Sequence, residues 1–572
     1  MFRTLALFCA FIVANSIVLP LIWHAFIYEH SQSLSPNIDD TKKYIDINDL
    51  KSLLLLLNPS RQTSELEDTQ THYTLTIDNF HTQSRFKLLP VSPYREVSRD
   101  TFDKWLSEQV EISFNKILSN IGDDNWSSDL VNYDNVALGA VIASPSKADP
   151  DYFYQWTRDG AITINTVINY LVNNQFKNTS IVTTVENYID NSENLQKTSN
   201  PSGDYNDGTL LNFGEPKFNV DGTPFTGNWG RPQNDGPPLR VISIDNFLKN
   251  LKKFSVSSNE SYIYYNIIKP DLEFICRYWK ANNFDLWEEV NSQHFFTSLV
   301  QLKALKIGIK LHKQLDSNDE LFGERLETTF EELSKFILVE SGYIDNSLTH
   351  IVETPSILGS RSGLDTAIII GVLLTHNDDE DKIPFDVTDG LVLNTLSALI
   401  KSMKLLYPIN HSRVNLNLGV GLGRYPEDIY NGNGVSEGNP WFLCTLAGAE
   451  MMYKLISDLY LSQQDLLIDS SNQLFYFNHV IEKPTMFSKE SSSSSLRIPY
   501  NTLAFNQTMA SLFQFGDSFL DIVREHVADD GSMSEQFDKY TGYMRGATDL
   551  TWSYGSLWSA NRWRQRALDY VS

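Results

Sequence analysis

Asn439–Leu461, NPWFLCTLAGAEMMYKLISDLYL, is the stretch whose reading decides the fold. Its apolar residues recur with helical periodicity, and it opens on a start signal: Asn can cap a helix, and Pro suits the first helical position. Outward from it, the same periodicity recurs near 102–121, 161–171, 182–195, 239–254, 267–281, 291–313, 322–338, 364–376, 388–405, 503–526 and 549–569. Gly122 offers a C-cap for the first of these, and Thr548 and Asp549 offer capping before Leu550. About twelve helices in sequential hairpins suit a closed ring of six inner and six outer helices. An open bundle or a solenoid fits that count equally well, although no fixed-period repeat argues for a solenoid. Ser491–Ser495 reads as a surface loop.

Before the helices, residues 27–101 are polar, and Thr71–Leu89 alternates apolar and polar residues as one or two strands would. This part reads as a stem and a short β-rich extension packed on a helical domain over 102–572. Residues 1–26 carry Arg3 followed by an apolar run from about Leu5 to Phe26. A cleaved secretory signal and a retained signal-anchor both fit a run this close to the ~20 residues that span a bilayer. Five N-x-S/T sequons, at Asn125, Asn178, Asn259, Asn410 and Asn506, agree with passage through a glycosylating compartment.

The chain has 572 residues, 41% of them hydrophobic, which is ample for a large core. A net charge of -25 repels phosphate backbones and argues against nucleic acid, whereas a neutral polysaccharide carries nothing to be repelled. Of the three cysteines, Cys9 lies in the leader. Cys276 and Cys444 read as two buried free thiols, with a disulfide between them open in an oxidising compartment.

Five aromatic-rich segments sit where loops meet helices. Asp151–Gly160, DYFYQWTRDG, sets Tyr152, Phe153, Tyr154 and Trp156 beside an Arg158–Asp159 pair. Flat apolar faces next to paired charges suit a sugar, whose C–H faces stack while its hydroxyls bind in pairs. Gly214–Arg240 is a turn-rich loop presenting Trp229, Arg231, Asp235 and Arg240. Phe284–Phe296, FDLWEEVNSQHFF, places Glu288 and Glu289 just before or at a helix start, where Trp287 and nearby phenylalanines can desolvate a carboxyl and raise its pKa. Taken alone, Glu-Glu at a helix start is ordinary dipole chemistry. Gly421–Trp441 again puts Arg, Tyr, Asp and Trp on a loop before a helix. Asp530–Tyr540, with Asp549–Tyr554 after it, carries Glu535 as a lone loop carboxylate. Acetal hydrolysis needs two carboxyl groups, and a closed ring brings such loops together at one end. The residues by themselves give a carbohydrate-binding helical protein with candidate carboxylates.

The blocks DYFYQWTRD, NWGRPQNDGPPLR, FDLWEEVN, GRYPEDIYNG with GNPWFL, and DGSMSEQFDK with DLTWSY resemble, in the same order, the signature blocks of fungal-type glucoamylases of glycoside hydrolase family fifteen. The resemblance covers about residues 102–572. It implies an all-α (α/α)6 barrel with a funnel-shaped site at one end, with no metal or organic cofactor. By this resemblance Glu288 is the general acid and Glu535 the general base. Asp285 is a further residue of catalytic involvement, ranked below Glu535 as base. Glu289 is a ligand across the scissile bond, and Arg158 and Asp159 clamp the terminal glucose. Tyr152 and Trp156 wall that subsite, and Trp229 packs near the acid. The backbone carbonyls of Leu286 and Trp287 accept sugar hydroxyls. Arg424, Tyr430 and Trp552 complete the pocket.

The implied activity is exo-acting, inverting release of β-glucose from non-reducing ends of starch, glycogen or dextrins, with α-1,6 links cut more slowly than α-1,4. No Ser/Thr-rich linker or starch-binding module follows the last helix, so soluble dextrins or glycogen are expected over raw granules. The expected partner is the glucan, with a membrane contacted only through an N-terminal anchor, and the expected state a monomer. Secreted, vacuolar and membrane-anchored locations all fit, with the catalytic domain lumenal or extracellular. An exo-hydrolase of other linkage on the same fold, or an inactive carbohydrate-binding relative, are the competing readings.

Overall fold

The computed structural model describes residues 73–77, 86–91, 99–377, 381–413, 416–484, 487 and 494–571. The leader, the stem up to residue 72 and Cys9 lie outside the described residues. Among the described residues, twelve helices of ten residues or more make up the domain. They are α1 (Arg99–Ser119), α2 (Thr157–Asn173), α3 (Thr179–Gln196), α4 (Gly236–Lys253), α5 (Lys269–Tyr278), α6 (Phe295–Leu315), α7 (Glu320–Lys335), α8 (Thr366–Thr375), α9 (Gly390–Leu406), α10 (Phe442–Ser462), α11 (Leu503–His526) and α12 (Thr551–Val571). The expected helices are all present, with ends shifted by a few residues.

The even-numbered helices pack in succession, α2 on α4, α4 on α6, α6 on α8, α8 on α10, α10 on α12, and α12 back on α2. That closes an inner ring and decides against the open bundle and the solenoid. The odd-numbered helices lie outside it: α1 packs on α12, α3 on α2, α5 on α4 and α6, α7 on α6, α9 on α8, and α11 on α10 and α12.

Sequence explains which helix goes where. The inner α8, TAIIIGVLLT, is apolar on every side and almost wholly buried, as a helix enclosed on all faces must be. The outer α7 buries Phe322, Leu326, Thr329 and Leu333, one stripe at helical spacing, and leaves its charges to water. Each fully buried Leu or Phe contributes roughly 1.5–3 kcal/mol, so the double-walled ring is held by its apolar faces.

Short strands stitch the loops. They are β1 (Tyr73–Thr76), β2 (Gln155–Trp156), β3 (Lys217–Phe218), β4 (Asn283–Phe284), β5 (Asn291–Ser292), β6 (Leu466–Ile468), β7 (Ser494–Ile498), β8 (Gln536–Phe537) and β9 (Met544–Arg545). The expected N-terminal strand is β1, but it builds no sheet of its own: it pairs parallel with β7, which pairs antiparallel with β6. Ser494 and Ser495, expected in a surface loop, are the first residues of β7, paired to Tyr73 and Thr74.

Several local expectations give way to tertiary partners. Helix α10 starts after Trp441, and the Asn439 side chain instead donates to Gln536 Oε1 (3.0 Å) and accepts from the Lys539 backbone N–H (3.1 Å). Asp549 pairs with Lys116 (3.0 Å) and accepts from the Tyr554 hydroxyl; it does not cap α12. Gly122 lies beyond the end of α1 and bonds Ala140 O (2.8 Å) through its N–H. Cys276 and Cys444 are free thiols, in α5 and α10, the first half-buried and the second buried. Among the sequons, Asn125, Asn259 and Asn506 are exposed and Asn178 is half-buried. Asn410 is buried, its amide nitrogen donating to Met403 O and Gly421 O, so a glycan on that nitrogen is incompatible with this packing. No helix among the described residues is long and apolar enough to cross a membrane.

Candidate active site

One cavity of about 360 Å³ opens at the N-terminal ends of the inner helices, a size within the range of roughly 300–1,000 Å³ typical of small-ligand sites. Its wall is built by the chain just before or within the first turn of α2, α4, α6, α10 and α12. Helix N-termini favour negative charge, which suits a site lined by carboxylates.

Glu288 does not start a helix. It sits on the turn between β4 and β5, seven residues before α6, at φ +67°, a conformation that costs a residue with a side chain about 1 kcal/mol. Asp285 is why the turn holds: its Oδ1 accepts the backbone N–H groups of Glu289 and Val290, each at 2.7 Å, while its carbonyl accepts from Glu288 N (2.9 Å). The Glu288 carboxylate is then aimed from the side. Its Oε1 accepts from the Trp156 indole N–H (2.8 Å) and the Gln233 amide (2.9 Å), and Arg158 stands 3.6 Å away. The neighbouring Trp287 indole donates to Asp365 (2.9 Å), which also caps α8.

Arg158 is buried in the first turn of α2 and donates to Gln233 (2.7 Å) and Asp235 (3.0 Å). Its Nε lies 3.4 Å from Asp159 Oδ2, and neither atom completes a hydrogen bond. A buried, adjacent donor and acceptor left without partners are ready for a hydroxyl pair. Burial pushes the Asp159 carboxyl up to about 6 against the pull of Arg158.

Glu289 faces a second basic group. It accepts from Arg424 (2.7 Å), Arg361 (3.1 Å) and the Tyr425 hydroxyl. Burial alone would raise its pKa, but these partners outweigh it and the shift is downward. Arg424 is itself forked onto Asp428 (2.6 and 2.9 Å) and lies over the rings of Trp287, Tyr430 and Trp441.

Glu535 immediately precedes β8 and is anchored by its backbone N–H to Ala547 O (2.9 Å). It is 1% exposed. Burial pushes its carboxyl up to about 8, opposed by Arg424 and by hydrogen bonds from Tyr152, Tyr430 and Gln536. Tyr152 and Tyr430 are joined hydroxyl to hydroxyl (3.0 Å). Gly546 makes the room: at φ +72° it approaches so closely that a Cβ would overlap the Glu535 carboxylate.

Glu288 and Glu535, although far apart in sequence, line the same cavity, as do Tyr152, Trp156, Arg158, Asp159, Trp229, Leu286, Trp287, Glu289, Arg424, Tyr430 and Trp552. Asp285 is not among the lining residues; it is buried behind the turn, beside His294. Gln233, Tyr425, Arg361 and Asp365 escaped the sequence reading of the site, whereas Trp441, the indole of the Gly421–Trp441 segment, lines the cavity. Gln233 and Tyr425 stand inside quoted segments, but nothing in a lone Gln or Tyr marks it before the fold pairs it with a carboxylate.

The family model described as glycosyl hydrolases family 15 matches residues 121–562. A glucoamylase of Saccharomycopsis fibuligera is 43% identical over 488 residues, covering 82% of this chain and 92% of the relative. The intracellular, sporulation-specific glucoamylase of Saccharomyces cerevisiae is 40% identical over 482 residues, covering 82% and 85%. Among solved structures, a Saccharomycopsis fibuligera glucoamylase aligns with TM-score 0.77 at 41% identity, over 84% of this chain and 99% of the other. The family 15 glucoamylase of Hypocrea jecorina aligns with TM-score 0.70 at 30% identity, over 81% and 72%.

Proposed function

The chain belongs to glycosyl hydrolases family 15 and is a glucoamylase that releases glucose from starch by glycoside hydrolysis; from that premise we propose an exo-acting, inverting reaction at non-reducing ends, with Glu288 as acid and Glu535 as base. The observation that carries it is the meeting of these two carboxyls at one sugar-sized cavity. Arg158 and Asp159 bind hydroxyls of the terminal glucose, so the chain end and not an internal unit occupies that subsite. Glu288 protonates the glycosidic oxygen. Glu535 takes a proton from a water that attacks the opposite face, giving β-glucose. Inversion calls for carboxyls roughly 6.5–9.5 Å apart, with the water between them. Starch, glycogen and dextrins are the proposed substrates, with α-1,4 links cut faster than α-1,6. The leader and the exposed sequons support work in the secretory lumen or outside the cell.

Electrostatics favour a second reading, with the two roles exchanged. Burial raises the Glu535 carboxyl to about 8, the trait of an acid. In the preferred reading, the attacking water and a sugar hydroxyl hydrogen-bond to Glu535 and draw its pKa down on binding.

Glu288→Gln and Glu535→Gln separate the two readings. Each is expected to lose about 10²–10⁴-fold in kcat on maltose. α-Glucosyl fluoride needs little protonation, so Glu288→Gln should retain most turnover of it and Glu535→Gln should not. The reverse pattern would exchange the roles, and full maltose activity in either variant would refute the pair.

A further inference from the structure

Beside the Glu288 wall lies a buried cation that the proposed reaction does not use. Lys217 is 2% exposed and stands opposite Trp156 in the two-residue ladder of β2 and β3. Four aromatic rings surround its ammonium: Nζ lies 3.6 Å from the ring centroid of Trp229, 4.0 Å from Tyr154, 4.4 Å from Phe225 and 4.5 Å from Trp156. These rings also form a closed circuit among themselves. Tyr154 meets Trp156, Trp156 meets Trp229, Trp229 meets Phe225, and Phe225 meets Tyr154, all edge-on, with centroids 5.1–6.2 Å apart. Among the described residues, none gives Nζ a hydrogen bond or an ion pair, so the ring faces carry its stabilisation.

Such an arrangement is costly as mere packing, since a leucine or methionine would fill the same space without burying a charge. What the charge adds is orientation. An ammonium at the centre of four rings is best served when all four turn their negative faces inward, so tipping any one of them weakens its contact. Two of the four matter to the site. Trp156 donates its indole N–H to Glu288 Oε1 at 2.8 Å. Trp229 lines the cavity, and its own indole nitrogen is buried without a partner, so no hydrogen bond fixes that ring. Burial pushes the Lys217 ammonium down to about 8, with Glu288 the first of the charges holding it up. It therefore stays charged at neutral and acid pH.

We propose that Lys217 is a positioning residue: its charge fixes the Trp156–Trp229 pair and, through the Trp156 indole, the Glu288 carboxyl that protonates the leaving sugar. This rests on the assignment of Glu288 as acid.

The test compares wild type, Lys217→Met and Lys217→Arg on maltose and on α-glucosyl fluoride, with thermal unfolding to establish that each variant is folded. Lys217→Met is expected to lower kcat on maltose about tenfold or more while leaving the fluoride within about twofold, since a desolvated cation–π contact is worth at least that factor. Lys217→Arg, which keeps a charge the rings can hold, should recover part of the maltose rate. Unchanged maltose turnover in folded Lys217→Met, or equal losses on both substrates, would overturn the proposal. If Lys217→Met does not fold, Lys217→Arg decides: a loss confined to maltose supports the role, and equal rates on both substrates overturn it. A wild-type enzyme that cleaves the fluoride but not maltose would instead overturn the functional reading beneath it.

Discussion

Glu288 and Glu535 reach one cavity from opposite kinds of support. Glu288 projects from a strained turn between two-residue strands, and its carboxylate is aimed by side chains from elsewhere: Trp156, Gln233 and Arg158. Glu535 is pinned by its backbone to Ala547, walled by packing and closed over by Gly546. Glu288 is oriented by donors alone, whereas Glu535 is held by hydrogen bonds from Tyr152, Tyr430 and Gln536 and also by the volume denied to it. The Glu288 side of the site therefore depends on partners, and the Glu535 side on partners and space together.

Beyond removal of either carboxyl, the largest effect should come from taking that space away. Gly546→Ala puts a methyl group where the Glu535 carboxylate lies and forces a side chain into the left-handed region, a strain of roughly 1–2 kcal/mol. kcat on maltose is expected to fall at least about tenfold with KM little changed, since each 1.36 kcal/mol of barrier is tenfold in rate. Wild-type kcat in that variant would mean that Glu535 has slack and that packing does not orient it.

A smaller effect should appear in stability, with opposite signs on the two sides. Glu535 has its pKa raised from 4.5 to about 8 in the folded state. A raised carboxyl contributes stability that is present below its unfolded pKa and lost as pH rises through the folded value, so this contribution fades between about pH 4.5 and 8. Glu535→Gln removes the titration and should raise Tm at pH 7 relative to wild type. Glu288→Gln replaces a two-oxygen acceptor facing Arg158 and two other donors with an amide that has one, and should lower Tm or leave it unchanged. Equal shifts in the two variants, followed by calorimetry, would erase the contrast.

How much of this was legible beforehand follows from the kind of signal each part leaves. Helix α8 advertises itself, because ten consecutive residues with hardly a polar atom have nowhere to go but the inner wall. The ring's closure left no such mark: α12 packs on α2 through residues separated by most of the chain, and periodicity is blind to that. Segments rich in Trp, Arg and Asp pointed to the cavity wall, and the signature blocks supplied roles that composition could not. What failed was local chemistry read without its partners. Asn439 looked like a cap but spends its amide on Gln536. Glu288 and Glu289 looked like a helix start because the turn that carries them is held by Asp285, whose role is invisible until the backbone folds over it. Lys217 gave no signal at all, since its four rings come from two loops more than fifty residues apart.

In the proposed inverting reaction, water held by one carboxyl attacks the face opposite the bond protonated by the other. Proton NMR of maltose hydrolysis, recorded before mutarotation, tests it directly. β-Glucose is expected as the first anomer to appear; α-glucose appearing first would rule out inversion.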